Sequence, residues 1–138
     1  MDNKIKRLKE KGVVLTIQRM AVLEVLNNSS NHPTVEKIHK KLLRKYPTLS
    51  LATVYNTLQV LRQAGEIQEL NIGREKRFDP SIDPHHHFYC RGCERIIDLE
   101  ISCPIAQKGS IDGHKIESVQ AIFFGTCADC LKKGKDNA

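Results

Sequence analysis

The sequence contains no tryptophan, and only 5% of its 138 residues are aromatic. It also lacks a long apolar run, since stretches such as Ala121–Phe124 are far too short to cross a bilayer. Residues Met1–Glu10 alternate charged and apolar side chains, which is not the pattern of a signal peptide. We therefore expect a soluble, cytoplasmic protein without a membrane segment. A chain this short has a modest core, and a cross-link such as a bound metal would add to its stability.

The net charge of +6 is distributed unevenly along the chain. Residues 1–79 carry 15 Lys and Arg against 8 Asp and Glu, whereas residues 80–138 carry 7 against 8. Histidine shows the reverse distribution, with two residues before position 80 and four after it. This division predicts a polyanion-binding domain over 1–79 joined to a metal-binding domain over 80–138.

Four of the five cysteines form two Cys-x-x-Cys pairs that are separated by 33 residues. Two such turns supply four thiolates in a tetrahedron, which suits a structural Zn²⁺ with no open position. Disulfides are the alternative, but nothing marks secretion, and a thioredoxin-like motif would have one pair rather than two. Cys103 has no partner in the sequence, so we interpret it as a small packing residue. The predicted zinc ligands are Cys90, Cys93, Cys127 and Cys130.

Apolar residues at helical spacing predict three short helices within residues 1–65. The first covers Thr16–Leu26, and the second is entered through residues 32–34. The third begins at Ser50 and stops at Gly65, and it contains no acidic residue. Its predicted buried face consists of Leu51, Val54, Leu58 and Leu61.

A strand-like hairpin over Glu66–Phe78 follows, with the turn predicted at residues 71–73. Three helices and a basic hairpin are the plan of a winged helix-turn-helix, whose third helix enters the major groove of DNA. A solvated helix face beside an ordinary hairpin is the alternative, but the acid-free third helix and the charge distribution favour DNA. We predict base contacts from Thr53, Tyr55 and Asn56, and phosphate contacts from Arg74, Lys76 and Arg77.

Three consecutive histidines follow the hairpin. In an extended segment His85 and His87 lie on one side and His86 on the other. Together with the carboxylates of Asp79 and Asp98, they predict a mixed nitrogen and oxygen site for Fe²⁺, Mn²⁺ or Zn²⁺. We interpret His86, and the later His114, as surface residues.

The sequence resembles the ferric uptake regulator (Fur) family over essentially its whole length. The resemblance implies an α+β fold, in which an N-terminal winged helix precedes a small C-terminal α/β dimerisation domain. It also implies a homodimeric, metal-dependent bacterial repressor that binds a pseudo-palindromic double-stranded DNA operator. The matching stretches are residues 12–19, residues 32–34, residues 50–58, Arg77-Phe-Asp79, His85-His-His87 and both Cys-x-x-Cys pairs.

Within the family, the sequence looks most like the peroxide-responsive branch. Iron-sensing members usually carry Glu where this chain has Asp98, and many carry Arg where it has Asn56. An iron-responsive repressor and a sensor of another metal are the alternatives within the family. The branch's regulatory Fe²⁺ or Mn²⁺ site, carried over residue by residue, falls on His32, Asp79, His85, His87 and Asp98.

The resemblance also implies how peroxide is sensed. In that branch Fe²⁺ reacts with hydrogen peroxide and a ligand histidine becomes oxidised, and the matching residues are His32 and His85. Mn²⁺ binds the same ligands without this chemistry. Because His32 lies in the basic domain and the other four ligands lie at or beyond the end of the hairpin, a bound metal ties the two domains together.

Two functions of other classes remain as alternatives. A mononuclear iron enzyme would use similar ligands, but it leaves the winged helix unexplained, and the sequence offers no second cofactor motif. The second alternative is an adaptor that holds zinc and binds other proteins.

The sequence departs from the family pattern in two places. Residues 118–120 lack a His that in many family members contributes to an accessory metal site, and residues 103–110 have a poor helical pattern.

Overall fold

The computed structural model describes residues 1–82, 85–102, 104–117 and 119–134. They form two compact units, Met1–Ile82 and Asp83–Ala138. Both helices and sheets are present, as the sequence predicts. Within the described ranges, every helix is too short or too polar to pass through a membrane.

The first unit contains four helices and a two-stranded antiparallel sheet. The helix over the first ten residues was not among the three predicted ones, since only Ile5 and Leu8 of its inward face are apolar and Lys4 is buried beside them. The other three lie close to their predicted positions. The elements are α1 (Asp2–Glu10), α2 (Ile17–Asn27), α3 (Val35–Leu42), α4 (Leu51–Gln63), β1 (Gln68–Ile72) and β2 (Glu75–Asp79).

Hydroxyl side chains begin three of these helices. Thr16, Thr34 and Ser50 each accept a hydrogen bond from the backbone N–H three residues later, at 3.2, 3.3 and 3.1 Å. Each bond satisfies an N–H group that has no partner within the helix, and such a cap contributes about 1 kcal/mol. These caps fix where α2, α3 and α4 start.

Helices α2, α3 and α4 pack on one another around an apolar core. Leu51 was predicted to belong to this core, but it is 41% exposed. Leu51 is the first residue of α4, where the chain enters the helix beside Ser50, so it lies at the edge of the packed face. The fully buried members of the core are Leu8, Val22, Leu23, Leu26, Ile38, Val54, Leu58, Leu61 and Phe78.

Strands β1 and β2 form the predicted wing. The turn lies at Gly73-Arg74 rather than over residues 71–73, because Asn71 and Ile72 pair with Lys76 and Glu75 as part of the ladder. Gly73 has a φ of 74°, a conformation that glycine adopts without steric cost. Arg74 is therefore in the turn itself.

The second unit is built around a three-stranded sheet, in which β3 (His86–Cys90) lies between β4 (Ile96–Leu99) and β7 (Ile122–Gly125). A separate two-stranded hairpin and two short helices complete the described part. Helix α5 has only five residues, in agreement with the poor helical pattern there. The elements are β3 (His86–Cys90), β4 (Ile96–Leu99), α5 (Pro104–Lys108), β5 (Ser110–Ile111), β6 (His114–Lys115), β7 (Ile122–Gly125) and α6 (Ala128–Lys132).

Strand β3 is central, and it pairs antiparallel with β4 and parallel with β7. The parallel register places Cys90 opposite Gly125 at the same end of the sheet. A side chain at Gly125 would approach the ring of Phe88 to 3.2 Å, so glycine permits this close pairing.

The interpretation of His86 as a surface residue was wrong. Its side chain is 7% exposed, and its Nδ1 atom accepts a hydrogen bond of 3.2 Å from the Ala121 N–H. The ring thereby satisfies a backbone donor just before β7. His114 is exposed, as predicted.

Replacing His86 by Ala should destabilise the second unit by about 1–3 kcal/mol, because the Ala121 N–H loses its acceptor. His114→Ala is the matched control and should change the free energy of unfolding by less than about 0.5 kcal/mol. Urea-induced unfolding of both variants and the unaltered protein in the same buffer, followed by circular dichroism, measures both changes. Equal stabilities for the two variants would contradict a structural role for His86.

Candidate metal centres and DNA-binding face

The four cysteines of the predicted zinc site lie together in the second unit. Cys90 ends β3 and Cys93 lies in the turn that follows it. Cys127 caps helix α6, and Cys130 lies within that helix. The parallel pairing of β3 with β7 brings the two Cys-x-x-Cys turns to one end of the sheet. Cys103 and Ser118 lie outside the described residues.

The geometry of the four sulfur atoms matches a tetrahedral ion. The Sγ atoms of Cys90 and Cys130 are 3.7 Å apart, those of Cys93 and Cys127 are 3.8 Å apart, and all four lie within 4.8 Å of one another. Four sulfurs at about 2.3 Å from a central Zn²⁺ would be separated by about 3.8 Å. The residues present therefore fit a structural zinc.

Backbone N–H groups prepare part of this site for negative charge. Those of Cys93 and Cys127 point at the Cys90 sulfur, at 3.5 and 3.2 Å, and lower the pKa of that thiol to about 6. Burial instead raises the pKa of the Cys130 thiol to about 12. The Arg95 guanidinium lies 3.9 Å from the Cys127 sulfur. A cation that bound all four thiolates would have to displace protons from the site.

A second group of donors occupies the opposite end of β3. The Nε2 atoms of His85 and His87 lie 3.5 and 3.3 Å from the same oxygen of Asp98. Asp98 reaches them because it pairs directly with His87 across β3 and β4. Two imidazole nitrogens and a carboxylate thus converge, which is a donor set suited to Fe²⁺, Mn²⁺ or Zn²⁺.

The first unit contains a histidine and carboxylate pair of its own. Nε2 of His32 lies 3.3 Å from Oδ2 of Asp79, and both side chains are buried. The pair is held by the backbone, since the Phe78 N–H donates to the Pro33 carbonyl at 3.0 Å. His32 has a φ of 49°, a left-handed conformation that is uncommon for a residue with a side chain. Such strain concentrates at functional sites.

The predicted base-reading and phosphate-binding residues lie on two neighbouring elements of the first unit. Tyr55 and Asn56 are exposed on α4 and line a groove with Arg74 and Lys76 of the wing. Glu36 and Glu75 also line the groove. The prediction of an acid-free surface considered only the third helix and missed these two residues. Both acids are visible in the sequence, so the charges predicted for α3 and for the second strand of the hairpin were the signal that could have found them.

The other two predicted DNA contacts are less exposed. Thr53 is half-buried, and its hydroxyl lies 2.8 Å from the Ser50 hydroxyl as part of the helix cap. Arg77 is half-buried on β2, opposite Leu70. Tyr55, Asn56, Arg74 and Lys76 therefore have the more accessible side chains of the six.

The ferric uptake regulator family model matches residues 10–122, which include the winged helix and the histidine and carboxylate donors. The chain belongs to the ferric uptake regulator family. This confirms the family that the sequence motifs predicted. The α+β fold is confirmed as well, because the chain superposes on the solved structure of the Helicobacter pylori ferric uptake regulator with a TM-score of 0.77. That match is 24% identical and covers 94% of this chain and 93% of the other.

Relatives of the peroxide-responsive branch are also similar to this Fur-family chain. The peroxide operon regulator of Bacillus subtilis (strain 168) is 39% identical over 133 residues, covering 94% of this chain and 92% of the relative. The solved structure of PerR from Streptococcus pyogenes, described as the basis for peroxide sensing and gene regulation, is 30% identical with a TM-score of 0.55. It covers 93% of this chain and 90% of that one. The predicted resemblance to that branch is thus confirmed.

If Zn²⁺ occupies the cysteine site, Cys93→Ser should lose the tightly bound ion and with it folding or dimerisation, because the metal substitutes for core. Cys103→Ser, outside the proposed ligand set, should keep about one zinc per chain. Elemental analysis combined with size-exclusion chromatography separates the two variants. A folded Cys93→Ser dimer with normal metal-dependent DNA binding would overturn the structural zinc.

If α4 reads bases, Asn56→Ala should weaken binding to an operator duplex by about 1–3 kcal/mol while changing binding to random DNA little. The operator can be selected from a random-sequence pool with Mn²⁺-loaded protein. Arg74→Ala should weaken binding to the operator and to random DNA alike. It should also reduce the slope of log affinity against log salt concentration by about 1. Equal losses on both duplexes for Asn56→Ala would remove Asn56 from the base-reading set.

Proposed function

We propose that this chain is a homodimeric transcriptional repressor that binds operator DNA with a regulatory Fe²⁺ or Mn²⁺ and releases it when peroxide oxidises a ligand histidine. The observation that carries the proposal is the convergence of His85 and His87 on one oxygen of Asp98, apart from the cysteine cluster. The chain therefore offers two chemically different donor sets, one suited to structural zinc and one to a regulatory metal.

The proposed structural metal is Zn²⁺ on the four cysteines. It would hold the ends of β3 and β7 together in a unit whose described apolar core is small. Thiolates that are committed to zinc are less available to oxidants than free ones. In this proposal the cysteines therefore stabilise the fold through zinc, and the histidines are the residues that respond to peroxide.

The proposed regulatory ligands are His32 and Asp79 from the first unit, with His85, His87 and Asp98 from the second. Each unit supplies a histidine and a carboxylate whose side chains already face each other, at 3.3 Å in both the His32–Asp79 and His87–Asp98 pairs. One ion bound by both groups would fix the angle between the units. In a two-fold dimer that angle sets the spacing of the two α4 helices, and hence the match to two half-sites.

Exposed apolar side chains in the second unit support the proposed homodimer. Ile122, Phe123 and Phe124 of β7 are 38, 44 and 51% exposed. Successive residues of a strand face opposite sides, so both faces of β7 present apolar surface. An apolar edge strand of this kind is a liability unless another surface covers it, and a second copy of the chain would do so.

The proposed sensing step modifies the protein at an imidazole. Bound Fe²⁺ supplies the redox chemistry that activates hydrogen peroxide. In the net reaction one peroxide oxygen is added to the ring of His32 or His85, and the other leaves as water. An oxidised ring is a poorer ligand, so the link between the units is lost and the spacing of the α4 helices is no longer fixed.

Family membership favours a regulator over the mononuclear iron enzyme that the sequence left as an alternative.

Fe²⁺-loaded protein should leave its operator at low peroxide concentration, whereas Mn²⁺-loaded protein should stay bound. Manganese keeps the ligand geometry without the same reactivity, so it separates chemistry from conformation. Electrophoretic mobility shift assays give the release, and peptide mapping should find one added oxygen on the peptide with His32 or the peptide with residues 85–87, in the iron form only.

Two outcomes of that experiment would contradict the proposal. Release accompanied by a disulfide among the zinc cysteines, with both histidine peptides unmodified, would make the protein a thiol sensor. Iron-dependent binding that ignores peroxide would instead support the iron-responsive repressor.

Asp98→Glu should retain iron-dependent DNA binding but blunt the response to peroxide. Glu is one methylene longer, so its carboxylate can chelate the metal and close the position that peroxide needs. Glu100→Asp, which changes length by the same amount at a position outside the proposed site, is the matched control. Peroxide concentration at half-release measures the effect, and an unchanged value for Asp98→Glu would remove Asp98 from the discriminating role.

A further inference from the structure

Helix α1 carries two cations, Lys4 and Arg7, beside the fully buried Leu8, and the exposed Lys11 directly follows the helix. Lys4, Arg7 and Lys11 are spaced by three and four residues, so they lie along one side of the helix. Lys4 is itself only 8% exposed, which is unusual for a lysine. Burying an ammonium group is costly unless it meets specific partners.

Arg7 and Lys11 bind a buried carboxylate at the start of the wing. Nε of Arg7 lies 2.7 and 3.0 Å from the two oxygens of Glu66, which is 1% exposed. Nζ of Lys11 donates to the Ala64 carbonyl at 2.5 Å and lies 3.5 Å from Glu66. These contacts fasten α1 to the chain where it leaves α4 and enters β1.

Lys4 makes its contact at the other end of the wing. Its Nζ atom donates to the carbonyl of Pro80, the residue that directly follows β2. The same peptide group contains the Ser81 N–H, which donates to Oδ1 of Asp79 at 2.9 Å. One peptide group therefore joins the Lys4 ammonium on its oxygen side to the Asp79 carboxylate on its nitrogen side.

We propose that Lys4 is a positioning residue for the metal ligand Asp79, and that it acts through the Pro80–Ser81 peptide group. A cation on the carbonyl polarises the peptide and strengthens its N–H as a donor, because hydrogen bonds in a chain reinforce one another. The strengthened N–H holds Oδ1 of Asp79. The other oxygen, Oδ2, is left directed at His32.

This arrangement assigns α1 a role in metal binding although it provides no ligand. The Arg7–Glu66 contact sets where α1 lies, and Lys4 then reaches the loop that follows β2. The inference rests on the proposed function, since it requires Asp79 to bind the regulatory metal. Partners of metal ligands of this kind typically change metal affinity by about 10–100-fold when they are removed.

The test is a double-mutant cycle on the full-length, zinc-loaded protein, with the Mn²⁺ dissociation constant as the readout. Lys4→Met should weaken Mn²⁺ binding by about 10-fold or more. Lys6→Met, which removes an exposed lysine from the same helix, is the matched control and should leave the affinity unchanged. In an Asp79→Asn background, Lys4→Met should have little further effect, because its route to the metal is already lost.

Thermal unfolding of the metal-free variants separates positioning from general stability. If Lys4→Met lowers the affinity equally in the wild-type and Asp79→Asn backgrounds, the effect does not pass through Asp79 and the inference is wrong. If Asp79→Asn weakens Mn²⁺ binding but Lys4→Met does not, the inference alone fails. If Asp79→Asn has no effect, both the inference and the proposed regulatory site fail. Should Lys4→Met not fold, Lys4→Gln, which retains a donor without the charge, enters the same cycle.

Discussion

The register of strand β3 is the constraint on which the second unit depends. Its parallel pairing with β7 sets Cys90 beside Gly125, so that the two Cys-x-x-Cys turns meet at one end. Its antiparallel pairing with β4 sets His87 opposite Asp98 at the other end. A shift of one residue would turn every side chain of the strand to the opposite face and disperse both donor sets. A structural zinc at one end would therefore also hold the histidines of the other.

The first unit brings its proposed metal donors together by a different means, because His32 and Asp79 are far apart in sequence and lie on a loop and at a strand end. The backbone bond between Pro33 and Phe78 brings the two segments together, and Lys4 and the Ser81 N–H hold the loop beyond Asp79. Asp79 ends β2, and the same strand contains Lys76, which lines the groove with α4. A metal bound at Asp79 would therefore lie at the end of a strand that carries a proposed DNA contact.

Sequence patterns predicted those features that depend on local spacing. The Cys-x-x-Cys spacing gave the cysteine cluster, the apolar periodicity gave α2 to α4, and alternation placed His85 and His87 on one side. The patterns failed where the deciding contact is distant in sequence. Helix α1 was missed because its apolar face contains only Ile5 and Leu8, while its cations bind partners that lie far away in sequence, such as Glu66, about 60 residues from Arg7. The burial of His86 was missed because its partner is the backbone of Ala121, which no side-chain pattern reveals.

We propose that one metal ion links the two units and thereby selects the DNA-binding arrangement. Coupling of this kind is reciprocal, so the operator must raise the affinity for Mn²⁺ by the same factor by which Mn²⁺ raises the affinity for the operator. The Mn²⁺ dissociation constant, measured with and without an operator duplex, tests the claim directly in the wild type and in His32→Ala. We expect a coupling of about 5–150-fold in the wild type, and its loss in His32→Ala even where weak Mn²⁺ binding persists. A wild-type Mn²⁺ affinity that is the same with and without the operator would contradict the account.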